Sequence, residues 1–78
     1  MKARQASREV IRWVLAQPTT EWFLAMEVDM ALGFTTKLDK ELRRVTIHRM
    51  CKKGWVERHP RGAQGVFRYM GVRKSIDV

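Results

Sequence analysis

Seventy-eight residues with 16 Lys and Arg against 8 Asp and Glu give a net charge of +8 and an isoelectric point near 10.6. A chain of this length makes a single domain over residues 1–78 with a small core; it leaves no room for a second domain and disfavours an enzyme with a deep pocket. The apolar share, 45%, is ordinary for a globular chain, so disorder is not the default.

The charge is unevenly placed. Residues 1–36 hold four basic and four acidic groups and are neutral, whereas residues 37–74 hold twelve basic groups against three acidic, a net of +9. Asp77 brings the total back to +8. Such an excess costs stability by self-repulsion, and an anionic partner is the usual compensation. The one cysteine, Cys51, cannot form an internal disulfide, which fits a reducing compartment. No apolar run approaches the roughly 20 residues of a membrane span. The opening MKARQASREVIRW lacks the apolar core of a signal peptide. A soluble cytoplasmic protein, not a membrane one, is expected.

In chain order, residues 4–16 predict a first helix. Ala6, Val10, Trp13 and Val14 fall at i, i+4, i+7 and i+8, and Ile11 and Leu15 widen that stripe. Pro18 disfavours helical geometry at Gln17 and ends it. Glu21-Trp22-Phe23 is either a very short strand or, with Thr20 as cap, the start of the next helix. Leu24, Val28, Ala31 and Leu32 return to helical spacing, and Gly33 is suited to stop that helix.

Phe34 begins the turn into the most basic stretch, Thr35 to Lys53, whose seven cations face only Asp39 and Glu41. Thr35 or Thr36 is its candidate N-cap. Leu38, Leu42 and Val45 share one face; Ile47, Met50 and Cys51 share another. The expectation is one long helix, its first turns packed on Phe34 and its last on the first helix; a bend near Arg44 is the alternative.

Beyond Gly54, residues 55–59 read as a strand, 60–65 as a turn, and 66–70 as the returning strand. On that strand Val66, Arg68 and Met70 share one face and Phe67 and Tyr69 the other. Residues 71–78 read as a tail.

Three stretches together resemble a winged helix-turn-helix DNA-binding domain. Glu27-Val-Asp-Met-Ala-Leu-Gly33 is similar to that family's second helix and closing glycine. The run from Arg44 through Gly54 to Arg58 resembles the end of its recognition helix entering the first wing strand, and Arg61-Gly-Ala-Gln-Gly65 its wing tip. The resemblance spans about residues 5–70. It departs from the family in a Gly33–Gly54 span about one helical turn longer than is common, and in Arg43, which stands where an apolar residue is usual.

The resemblance implies an α+β winged helix of three helices and a two- or three-stranded antiparallel β-hairpin wing. It implies sequence-specific double-stranded DNA binding, with the 36–49 helix in the major groove and the wing on the flank. A small transcriptional regulator of the phage, plasmid or mobile-element kind, associated with the nucleoid, is the expected role.

On the helix the candidate contacts are Thr35, Thr36, Lys37, Lys40, Arg43, Arg44, Thr46, His48 and Arg49. On the wing they are Arg58, His59, Arg61, Gln64 and Arg68. A solvated basic face is the plainer reading of any one of them. The charge asymmetry and the turn that presents the helix favour DNA. A protein-interaction winged helix using Met26 and Met30, or an RNA-binding or replication accessory module, is the alternative.

One cysteine and two histidines do not make a structural metal site, no serine has base and acid partners, and no phosphate-cradling loop is present. No cofactor and no catalytic residue are therefore expected. Asp39 and Glu41 read as solvated ion pairs. Trp13, Trp22 and Trp55 read as core residues, and Cys51 as a small buried one. The spare apolar width at Ile11 and Leu15 suggests a homodimer through the first helix.

Overall fold

A computed structural model describes residues 3–61 and 65–71, with side chains from Gln5 onward. The elements follow in the order α1 (Ala3–Leu15), β1 (Phe23–Leu24), α2 (Ala25–Leu32), α3 (Lys37–Lys52), β2 (Val56–Arg58) and β3 (Val66–Tyr69). The three strands form one antiparallel sheet in the order β1-β3-β2. This is an α+β layout compatible with a winged helix. The expected 71–78 tail lies outside the described residues beyond Gly71.

α1 buries the stripe its spacing predicts: Ala6, Val10 and Val14. Ile11, Trp13 and Leu15 pack against this core from its edges. Across from α1 stand Ile47 and Met50 of α3, and Phe23, Val56, Phe67 and Tyr69 close the core from the sheet. Trp13 meets Phe23 edge-on at 5.3 Å between ring centres, and Phe23 meets Phe67 at 5.9 Å. Alternation on β3 runs as predicted, with Phe67 and Tyr69 inward.

Both α2 and α3 end by one device. Gly33 takes φ 70° after α2, and the Phe34 N–H donates to the Asp29 carbonyl at 2.8 Å. Gly54 takes φ 80° after α3, and the Trp55 N–H donates to the Met50 carbonyl at 3.0 Å. In each case a left-handed glycine lets the next aromatic reach back five residues, satisfying an orphan carbonyl and docking its ring on the core.

The helix starts differ. Thr36 caps α3, its Oγ1 accepting from the Asp39 N–H at 3.1 Å. α2 has no hydroxyl cap. Its Glu27 side chain accepts from the Leu24 N–H, and the Gly65 carbonyl of the hairpin accepts from the Ala25 N–H at 2.7 Å. The hairpin thus seals the N-terminus of α2. This decides the reading left open around Glu21-Trp22-Phe23 only in part: Phe23 pairs with Phe67 and Leu24 with Val66, so the strand is Phe23–Leu24, Glu21 and Trp22 lie ahead of it, and Leu24 precedes the helix it was expected to join.

Three expectations about packing are corrected. α3 is one helix, but Leu38 is 69% exposed, since the described chain places no neighbour over that end of the Leu38/Leu42/Val45 face. Trp22 is not a core residue. It is half-buried on the outer face of the sheet, its ring 4.8 Å from His59 and covered by the Arg68 guanidinium at 4.7 Å. Cys51 is half-buried rather than enclosed.

Candidate nucleic-acid interface

α3 is amphipathic by position rather than by a clean apolar stripe. Thr46, Ile47 and Met50 are buried, and on the far side Lys37, Lys40, Glu41, Arg44 and His48 are exposed. These five recur at three- and four-residue spacing, which puts them along one solvent-facing strip. The strip overlooks a groove of about 710 Å³ between the helices and the hairpin. Arg44 and His48 line it from α3, Met26 from α2, and Arg58 and His59 from the hairpin.

Arg58 bridges the two walls. Its Nη2 donates to His48 Nδ1 at 2.9 Å, and its guanidinium lies over the Phe67 ring at 5.8 Å. Burial pushes the Cys51 thiol up from its ordinary pKa, against the opposing charge and hydrogen bond of Arg58. The hairpin is therefore held to the middle of α3 by a cation that stays exposed.

Glu41 is the acidic group on the exposed strip. Arg44 donates Nε to its two carboxylate oxygens at 3.2 and 3.1 Å, and Nη2 to Oε1. That hydrogen bond, with the charges of Arg44, Arg43 and Lys37, holds the Glu41 carboxyl below its usual range; the same bond raises the Arg44 pKa.

Two predicted contacts face inward. Arg43 donates Nε and Nη2 to the two oxygens of Asp29, both at 3.0 Å, in a fork-to-fork pair whose side chains are 17% and 10% exposed. Its charge is spent tying α2 to α3. Thr46 is buried; its hydroxyl donates to the Leu42 carbonyl at 2.7 Å and lies 3.2 Å from the Ser7 hydroxyl of α1. Arg43 reaches the wall of the groove with its fork already engaged by Asp29, and Thr46 borders the smaller niche against α1 with its hydroxyl already bonded.

The remaining predicted residues are placed as follows. Thr35 and Lys37 are exposed at the entrance to α3, and Thr36 is its cap. Arg49 is exposed but lines a smaller apolar niche against α1, away from the groove. Arg61 is exposed at the hairpin turn, where its N–H donates to His59 Nδ1 at 3.3 Å. Arg68 is half-buried, paired to Glu57 and stacked on Trp22. Gln64 lies outside the described residues.

Glu41 stands as expected, in a solvated ion pair with Arg44, whereas Asp29 is the residue that sequence reasoning missed. Arg43 carried the signal for it: a cation at an apolar-periodic position needs a buried acid, and Asp29 stands within the apolar stripe of α2. Among the described residues, no three His, Cys, Asp or Glu side chains are grouped to hold a metal ion, and no helix is long and apolar enough to cross a membrane. Compared with known proteins, the chain matches no family model, no curated protein and no solved structure.

Proposed function

We propose that the chain binds double-stranded DNA sequence-specifically as a small winged helix-turn-helix regulator. In this reading α3 enters the major groove, presenting Lys37, Lys40, Arg44 and His48. The hairpin lies on the flank, with Arg58 and Arg61 toward phosphate.

The observation that carries the reading is the convergence of Arg44, His48 and Arg58 on one groove between α3 and the hairpin. A helix of this width fits the major groove of B-DNA, and a glycine-containing turn beside it suits backbone rather than base edges. The test is selection of bound sequences from random duplex DNA. A single enriched motif supports the reading, and recovery of unenriched sequences contradicts it. An inverted repeat in that motif would assign a two-fold dimer; α1 is its proposed contact, although Ile11 and Leu15 are partly spent on the core.

A second reading has its own observation. Met26 and Met30 are 61% and 78% exposed on the outside of α2, a surface suited to an apolar protein partner. Retention on heparin that falls steeply with salt favours DNA; retention insensitive to salt favours the protein partner.

A further inference from the structure

Glu41 is out of place on a surface that serves only to attract phosphate. It stands on the exposed strip with Lys37 four residues before it and Arg44 three after, so it subtracts charge where a polyanion would approach. As a stabilising pair in water, two side chains 54% and 63% exposed contribute little. Their geometry is nonetheless specific. Glu41 takes Nε–H and one Nη2–H of Arg44, which leaves the Nη1/Nη2 edge of the exposed fork with two parallel donors that Glu41 does not engage. That edge matches the O6 and N7 acceptors that guanine shows in the major groove.

We propose that Glu41 is the positioning residue that aims Arg44 at a single guanine of the target site. The proposal rests on the DNA-binding reading above. Entry into the groove removes water from the pair and lowers the local dielectric, which strengthens the Glu41–Arg44 bond when orientation matters. An arginine beside a lysine-rich strip with no such partner would be drawn to the nearest phosphate. The carboxylate thus exchanges some non-specific affinity for base selectivity.

The experiment is selection from random duplex DNA with the full chain and with Glu41→Ala, Glu41→Gln and Arg44→Ala, followed by measured affinities on the selected site and its single-base variants. The wild-type chain is expected to prefer guanine at one position by roughly ten- to a hundredfold, as a bidentate arginine contact does. Arg44→Ala and Glu41→Ala should both flatten that same position to within a few-fold. Glu41→Ala should at the same time bind random duplex more tightly than wild type, a gain that mere damage to the helix would not produce. Glu41→Gln keeps an acceptor for Nε–H and should recover part of the guanine preference. Undiminished preference in Glu41→Ala overturns the proposal, and so does an effect of the two alanine variants on different base pairs, which would make Glu41 a reader in its own right. If the wild-type chain enriches no sequence at all, the DNA-binding reading itself fails.

Discussion

Arg43 shows what a single side chain can hide. On a count of charges it belongs to the basic face, yet its fork closes on Asp29 and its charge is spent inside the molecule. Removing one partner strands the other in a poorly hydrated place. Arg43→Ala or Asp29→Ala should therefore cost about 3–5 kcal/mol in urea unfolding, and the joint change to Met and Leu should recover most of the loss. A loss below 1 kcal/mol for either single change would mean the pair is solvated and Arg43 is available outside. The Tyr69 hydroxyl is buried with no hydrogen-bond partner among the described residues. Tyr69→Phe removes that unmet group, so a melting temperature equal to or above wild type is expected. The Cys51 thiol, raised by burial, should be alkylated by iodoacetamide near pH 8 more slowly in the native protein than in denaturant. Equal rates would contradict that environment. The charges were all legible in the sequence; their partners were not, because an ion pair between residues 29 and 43 depends on how two helices cross.

The helices could be read from spacing because their signals are local. The α1 stripe, the Gly33 stop and the Thr36 cap each depend on residues within one or two turns, and all three are present. β1 could not be settled that way. Two residues carry no periodicity, and only pairing with β3, more than forty residues on, makes them a strand. Trp22 was misplaced for the same reason, since its outward side is defined by that ladder. The two glycine–aromatic stops carry the element-scale prediction. Gly54→Ala forces a side chain into φ 80° and should cost about 1 kcal/mol in unfolding experiments, although its surroundings are open. Trp55→Ala should cost roughly 2–3 kcal/mol, less than a fully enclosed tryptophan, because the ring is half-buried beneath the Lys53 ammonium. Stability unchanged in Trp55→Ala would show that the ring does not hold the hairpin to α3.

At the scale of the whole molecule, a neutral first half builds most of the helical support, and the positive second half supplies α3 and the hairpin. That division was legible from composition. Which cations would meet was not, because the groove exists only once β2 is laid beside α3 and Arg58 reaches His48. The central claim is that this shared face binds duplex DNA. Its most direct measurement is the salt dependence of affinity for a duplex, for wild type and for Lys40→Glu, Arg58→Glu and the control Arg8→Glu. Each phosphate contact contributes about 0.9 to the slope of log K against log salt, so Lys37, Lys40, Arg58 and Arg61 together predict a slope of roughly −3 to −4. Lys40→Glu and Arg58→Glu should each flatten the slope by about one or more, while Arg8→Glu, on α1, should leave it nearly unchanged. A slope near zero in wild type, or a slope that responds to Arg8 and not to Lys40 or Arg58, would contradict the account.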